Sequence, residues 1–471
     1  MNTTKVIVIG TGPSGIAAGT KLLEYGFQDV ILLEAEDRIG GRIHTIPFAD
    51  NVVDLGAQWC HGEKDNVVYE MASKHNLVAH TEDNFYLFQC IRSNKEIVPI
   101  KLLERFKSII DNIVEVTANT DLLTYKGSVG DYIDEKYFEA LKAPENSDID
   151  PAIAKELLEH FKRYENSVDG CETVNDLSAK GFLEYSECEG DQALTWKETG
   201  YHSILRVMMQ SNESNALGVL DKRIKLGKSV NKISWNEDGS KIQVQCKDGE
   251  IFEADHVIVT VSLGVLKDKH STLFHPKLPV EKIRAIETMG IGTVNKIFLE
   301  FSTQFWPNNW NGFSTLWREE DLAEIRGTNR AWLEDVYGFY RVAHQPRILS
   351  GWVVGANARH METLTDDEIY EGSMYILKRF LEMDIPKPVN FKTTGWYKNE
   401  NFRGSYSYQS VRAEEVNAKP SDLASPLESS TKKPLVLFAG EATSDHHFST
   451  VHGAIETGWR EAKRLADLYK S

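Results

Sequence analysis

The chain has 471 residues, 41% of them hydrophobic and 26% charged, with a formal net charge of −17. That length suits two or three globular domains, and no apolar run approaches the roughly 18 residues of a membrane span. The acidic balance argues against nucleic acid as a direct ligand and suits a cationic one.

From the N-terminus, Lys5 to Ile9 is a short β-branched run that predicts a buried strand. Gly10, Gly12 and Gly15 follow as GxGxxG, then a helix over Ile16 to Tyr25 and a second apolar run from Val30 to Leu33, ending at Glu34. Each part has a physical task in holding a dinucleotide. Gly10 permits a tight turn, Gly12 lets a pyrophosphate approach the backbone, and Gly15 lets helix pack on strand. The helix start presents free N–H groups to phosphate. Glu34 stands where it can accept ribose hydroxyls and repel a 2′-phosphate. Arg38, Gly40, Gly41 and Arg42 extend the unit to ExxxRIGGR, whose second guanidinium suits a flavin dinucleotide's pyrophosphate.

Val53 to His61 (VDLGAQWCH) predicts an extended piece entering a glycine turn, with Gln58, Trp59 and His61 beyond it. Val67 to His75 predicts a helix. Phe85 to Cys90 and Ile97 to Ile100 predict a hairpin. Lys101 to Val116 and Ala152 to Ser167 carry helical periodicity. Phe182 to Trp196 is acidic and irregular, with Glu184, Glu187, Glu189 and Asp191 forming a solvated loop or a polycation attractor. Ile224 to Val230 predicts a strand, and Lys247 to Glu250 a hairpin turn. Asp255 to Val261 is another buried run. Gly290 to Ile297 opens a strand of alternating residues that carries Lys296, in an aromatic-rich region. Ala418 to Lys433 predicts a surface loop. Leu435 to Phe438 is the last buried strand, followed by Gly440-Glu441-Ala442 and a long helix over Ala454 to Tyr469.

Five cysteines (Cys60, Cys90, Cys171, Cys188, Cys246) lack any CxxC pair, which argues against a disulfide framework and for a reducing compartment. His446, His447 and His452 have no cysteine or carboxylate partner at ligand-like spacing, so no metal is expected. The N-terminus enters a strand without a leader, and the C-terminal Leu468-Tyr469-Lys470-Ser471 is not SKL. A cytoplasmic protein is expected, with the nucleus also open, and no obligate protein partner is evident. The α/β pattern predicts a discontinuous Rossmann-like dinucleotide domain (1–80, 220–270 and 431–471) interleaved with a sheet-plus-helices substrate domain (81–219 and 271–430).

The motifs GTGPSG, ExxxRIGGR, LGAQWCHG, GTVNKIFLEF, FRGSYSY, LFAGEAT and STVHGAIETGWREA together resemble the flavin amine oxidases, most nearly the animal spermine oxidase and N1-acetylpolyamine oxidase branch. The resemblance implies a p-hydroxybenzoate-hydroxylase-like fold with FAD buried between two domains. Cofactor contacts are implied at Gly10, Gly12, Ser14, Gly15, Glu34, Arg42, Gly56, Ala57, Gln58, Val230, Trp396, Gly440, Glu441, Thr450 and Val451. Lys296 matches the lysine that holds a water near flavin N5, His61 the pocket histidine of the polyamine branch, and Tyr406 an aromatic facing the flavin. Trp59, Thr450 and Glu184 are implied in the substrate pocket. Thr450 stands where monoamine oxidases carry a second facing tyrosine. Ser405 stands where they carry a flavin-linking cysteine, so the FAD is expected to be noncovalent. The implied reaction is oxidation of spermine or N1-acetylpolyamines at a secondary amine by O2. Oxidation of another amine, or an inactive FAD-binding scaffold, remains open, as does the choice among spermine, spermidine and their acetylated forms.

Overall fold

The computed structural model describes residues 2–81, 89–114 and 120–470. Strand Asn2–Ile9 pairs parallel on one side with His256–Val259 and on the other with Phe27–Leu33. Pro434–Phe438 extends the sheet beyond His256–Val259, Ile224–Lys225 closes one edge, and Leu427–Glu428 lies antiparallel at the other. These strands carry apolar residues on both faces. Val6, Val8, Leu32 and Leu437 enter one apolar cluster, and Ile7, Ile9, Leu33 and Phe438 enter another. Parallel strands need that double cover, and each fully buried Leu or Ile contributes about 1.5–3 kcal/mol. Helices Pro13–Glu24 and Val451–Leu468 pack on the first face. Gly458 permits their close crossing, since a Cβ there would lie 2.3 Å from the Ser14 carbonyl oxygen.

A second six-stranded sheet runs in the order Asn390–Thr393, Val294–Glu300, Gln345–Val354, Val336–Val342, Gly312–Leu316, Gln89–Arg92. The first five strands are antiparallel and the last is parallel to its neighbour. Alternating exposure was expected along Val294–Glu300, yet all seven residues are buried. The strand is internal. Ile297 and Leu299 face a large aromatic-rich cluster, while Phe298 on the other face packs on Phe48, Trp396 and Phe402. Lys296 shares the Phe298 face and is therefore forced into the interior. Helices Val129–Ala140 and Pro151–Asp169 form a separate layer with Ile100–Val114. Pro151–Asp169 begins where the Asp150 carboxylate accepts the N–H groups of Ala152 and Ile153, and ends at left-handed Gly170.

Other expectations shift locally. Ile224 to Val230 is not one strand. Gly227, at φ +68°, separates Ile224–Lys225 from Val230–Ser234, which belongs to a different, four-stranded sheet. The expected loop over 418–433 contains helix Pro420–Ala424 and strand Leu427–Glu428, because Leu423 and Leu427 are buried anchors. The irregular acidic stretch ends in strand Leu194–Trp196, which pairs with Trp59–Cys60 and Val78–Ala79. Part of the predicted 85–100 hairpin, 85–88, lies outside the described residues, but Gln89–Arg92 is a strand and Ile91 bridges to Ile97. No helix among the described residues is long and apolar enough to cross a membrane.

Candidate active site

A cavity of about 1240 Å³ is lined from both six-stranded sheets, from helix Pro151–Asp169 and from the start of the last helix. Pockets for one drug-sized ligand span about 300–1,000 Å³, so this cavity has room for a dinucleotide and a substrate together. At one end, Gly10 turns the chain at φ +103°. Gly15 sits so tightly below it that a Cβ would lie 2.0 Å from the Gly10 carbonyl oxygen, whereas a Cβ on Gly12 would meet nothing closer than 4.0 Å. Gly12 caps helix Pro13–Glu24 without a side-chain acceptor, leaving the helix's first N–H groups for a ligand. Ser14 Oγ lines the cavity here and, among the described residues, has no hydrogen-bond partner although it is buried. An open glycine cradle, an uncapped helix start and an orphaned hydroxyl all fit a bound pyrophosphate.

Glu34 lies on the cavity wall and is held by three hydrogen bonds. Oε2 accepts from the Thr11 N–H (2.8 Å) and hydroxyl (2.6 Å), and Oε1 from the Glu36 N–H (3.0 Å). A carboxylate offers about four lone-pair sites, so capacity for a ribose hydroxyl remains. Arg42 ties distant segments together, donating from Nη1 to the Ser405 carbonyl (2.7 Å) and to Glu441 Oε1 (2.8 Å). Glu441 is an internal hub. Its Oε2 also accepts from the Ser407 hydroxyl (2.6 Å) and the Ser449 N–H (2.9 Å). Gly56, Ala57, Gln58, Val230, Trp396, Gly440, Glu441, Thr450 and Val451 all line the same cavity, whereas Gly15 lies beneath it as packing. Ser405 Oγ accepts from the Val294 N–H (2.9 Å) and donates to the Val294 carbonyl (3.1 Å).

Lys296 reaches the cavity from its buried strand. Its Nζ donates to the carbonyls of Asp54 (2.9 Å) and Gly56 (2.8 Å) and to Gln58 Oε1 (2.8 Å), and it lies 4.6 Å from the Trp352 ring centre. Burial lowers its pKa to about 7, against the opposing charge of Asp54. Asp54 is pushed upward by burial, with the Thr45 hydroxyl and Lys296 pulling the other way.

His61 also lines the cavity. Its Nδ1 lies 2.6 Å from the Gln192 carbonyl oxygen, which assigns the proton to Nδ1 and leaves Nε2 as an acceptor. Desolvation within the cavity lowers its pKa, with the Gln192 contact opposing, although the ring's surface stays open to the cavity space. Trp59 stacks on Trp352 at 5.3 Å and 14°. Tyr406 donates its hydroxyl to the Ser167 carbonyl, and its ring fills the space where Gly170 lacks a Cβ. Thr450 caps the last helix, accepting from the Gly453 N–H (3.1 Å) and donating to the His447 carbonyl (2.8 Å).

The acidic stretch sends Glu187 and Asp191 to the cavity wall, but Glu184, implied in the pocket, is not on it. Two acids that sequence reasoning passed over are there instead. Glu165 and Asp169 lie four residues apart on helix Pro151–Asp169 and face the cavity together. Burial, reinforced by Asp169, holds Glu165 protonated well above the usual carboxylate range. Burial likewise raises Asp169 to about 7, against a hydrogen bond from Glu165. The available signal was their i,i+4 spacing on one helix face. A second grouping overturns the expected isolation of the histidines. Cys188 lies against His447 and His452, and Glu456 against His446 and His447, because strand Leu194–Trp196 and the last helix bring the two segments together.

The chain belongs to the family of flavin containing amine oxidoreductases, whose model matches residues 13–466. It is 32% identical to the bovine (Bos taurus) peroxisomal N(1)-acetyl-spermine/spermidine oxidase over 99% of this chain and 95% of that one. It is 26% identical to polyamine oxidase 1 of Zea mays over 98% and 90% of the two chains. Among solved structures, putrescine oxidase bound to putrescine superposes with a TM-score of 0.71 at 18% identity, covering 99% of both chains. Cyclohexylamine oxidase from Brevibacterium oxydans gives 0.72 at 18% identity over the whole of both chains. These last two likenesses establish the shared fold.

Proposed function

We propose that this flavin amine oxidoreductase is an oxidase of cationic polyamines with a noncovalently held FAD. The observation that carries the substrate reading is the buried acid pair Glu165 and Asp169, facing a cavity walled by Trp59, Tyr337, Trp352 and Tyr406. Two carboxyl groups kept partly protonated by burial ionise when a cation arrives to pair with them. The aromatic faces attract a second cationic centre and, being apolar, lower the pKa of an amine nitrogen pressed against them. A polyamine supplies both kinds of nitrogen: distal ammonium groups for the acids, and one amine that becomes neutral.

Gly10, Gly12, Ser14, Gly15, Glu34, Arg42, Gly440, Glu441 and the start of the last helix would hold the FAD. The bound flavin supplies the two-electron acceptor, which O2 restores. The chain's own groups bind and orient the amine. His61 Nε2 accepts from a polyamine nitrogen or a water, Tyr406 fixes the amine's plane, and Lys296 sets the charge beside the reacting carbon. In net terms a secondary amine, O2 and water give an aldehyde, a shorter amine and hydrogen peroxide. We also propose the interleaved division into cofactor segments (1–80, 220–270 and 431–471) and substrate segments (81–219 and 271–430). The strands of the two six-stranded sheets support that reading except at Leu427–Glu428, which lies in the first sheet, and Leu194, Ile204 and Met209 pack into the first sheet's core.

The test is peroxide release from a panel of spermine, spermidine, N1-acetylspermine and tyramine. Polyamines are expected to turn over, and tyramine poorly. Asp169 is held at about 7 in the fold against about 3.9 unfolded. The folded chain therefore binds more protons across that window, and stability falls as pH rises through it. A bound polyamine offsets this loss, so its stabilisation in thermal melts should be larger at pH 8 than at pH 5. Apparent affinity should rise over the same range and weaken with salt. No peroxide from any polyamine would favour the scaffold reading. Because Ser405 offers no thiol, acid precipitation should release all the flavin into the supernatant, and colour retained on the protein would reject noncovalent binding.

A further inference from the structure

At the edge of the same cavity, which His452 lines, three potential ligand atoms converge where the segment after Phe182 meets the last helix. Cys188 Sγ lies 3.9 Å from His447 Nε2 and 4.0 Å from His452 Nε2. The three residues are 4%, 7% and 2% exposed, and their ligand atoms all lie within 4.8 Å of one another. The same sulfur is 3.7 Å from the Asp65 carbonyl oxygen. One S–H donates to one acceptor, so this cluster gathers more lone pairs than its thiol can serve.

Glu456 decides what His447 offers. Its Oε2 lies 2.8 Å from His447 Nδ1, which places the imidazole proton there and turns the Nε2 lone pair toward Cys188. A carboxylate holding the far nitrogen of a histidine is the usual support of a metal-ligating imidazole. His446 and Glu456 form a more exposed grouping through the other face of His447. Since His447 Nδ1 is already committed to Glu456, that grouping supports the first and does not compete with it.

We propose that Cys188, His447 and His452 form a zinc site, with Glu456 as its outer support. One thiolate and two neutral imidazoles suit Zn2+, whose bonds to sulfur and nitrogen are about 2.3 and 2.0 Å. Sulfur–nitrogen separations of 3.9 and 4.0 Å need to contract by only a few tenths of an ångström to reach tetrahedral coordination. Water completes the fourth position. Binding displaces the Cys188 proton to solvent, and the thiolate with Glu456 balances the ion's charge. The ion pins the segment bearing Glu187, Asp191 and Gln192, all on the cavity wall, to the helix that carries Thr450 and Val451.

The experiment uses the flavin-loaded full chain, stripped with a chelator, dialysed against Zn2+ and then freed of loose metal. About one zinc per chain is expected, and about tenfold less in Cys188→Ser and in His447→Asn, with the flavin spectrum as the check on folding. Where a variant fails to fold, Co2+ replaces Zn2+ in the wild-type protein. Tetrahedral cobalt with a thiolate ligand absorbs strongly in the red, where flavin does not. Zinc-free wild type, equal retention in Cys188→Ser, or a weak octahedral cobalt spectrum would each overturn the proposal.

Discussion

Lys296→Met is expected to slow amine turnover by about tenfold or more, at least roughly 1.4 kcal/mol of barrier, while flavin remains bound. Lys296 combines a charge, burial and a place on the cavity wall beside Gly56, Gln58 and Trp352. Its three hydrogen bonds hold Nζ in a fixed position, so it needs no reorganisation as charge moves in the substrate. With its pKa lowered to about 7 by burial, it changes charge near neutrality. The unfolded chain holds that proton up to about 10.4 and so binds more protons between about 7 and 10.4. Stability therefore rises with pH across that window.

Methionine keeps much of the length and removes the charge. It also leaves the carbonyls of Asp54 and Gly56 and Oε1 of Gln58 without this donor, at about 1–3 kcal/mol for each oxygen that finds no other partner. A lower melting temperature is thus expected beside the slower rate. Stopped-flow measurement of flavin reduction and reoxidation separates the two effects. If Lys296 acts on chemistry, the rate–pH inflection near 7 disappears in the variant even when flavin content is full. Unchanged rates in both half-reactions would remove it from the mechanism.

Gly15→Ala is expected to abolish flavin retention and sharply lower stability. The added Cβ would lie 2.0 Å from the Gly10 carbonyl oxygen and 3.3 Å from Thr260 Oγ1. Relief requires moving helix Pro13–Glu24 away from Asn2–Ile9, or reshaping the turn at Gly10. Either shift disturbs Ser14 and the uncapped helix start, and with them the contact between Gly458 and the Ser14 carbonyl. Overpacking of a well-filled core commonly costs about 1–3 kcal/mol, and a backbone obstacle cannot rotate aside as a side chain can. Flavin absorbance after gel filtration and the thermal midpoint are the measurements. Gly12→Ala is the informative contrast. Its Cβ meets no atom of the chain closer than 4.0 Å, so the fold should persist while flavin binding weakens. Equal flavin content in both variants and the wild type would show that the glycine turn does not hold the cofactor.

The sequence by itself determined the local elements whose reasons are local. The run Lys5 to Ile9, the three glycines and Glu34 define a strand, turn, helix and acid because β-branched runs and glycine spacing act within about thirty residues. The last helix and the helix near 151–169 were legible in the sequence, but not their exact ends, which the caps at Thr450, Asp150 and Gly170 set. Lys296 and His61 were found through motifs, not through any physical signal of their own. Nothing local shows that a strand lysine will be buried on an internal strand and satisfied by residues some 240 positions away.

Only the tertiary structure decided the rest. Glu34 and Glu441 turned out to be structural hubs as well as cavity residues, because the backbone N–H and hydroxyl groups they satisfy come from other turns. Glu165 and Asp169 read as ordinary helix-surface acids until the helix is laid along an enclosed cavity, where burial gives them a proton and a reason to seek a cation. Cys188 is a lone cysteine in the sequence, 259 positions from His447. Strand pairing of Leu194–Trp196 and packing of Val451–Leu468 close that gap, and chain spacing carries no trace of contacts made between separately folded elements.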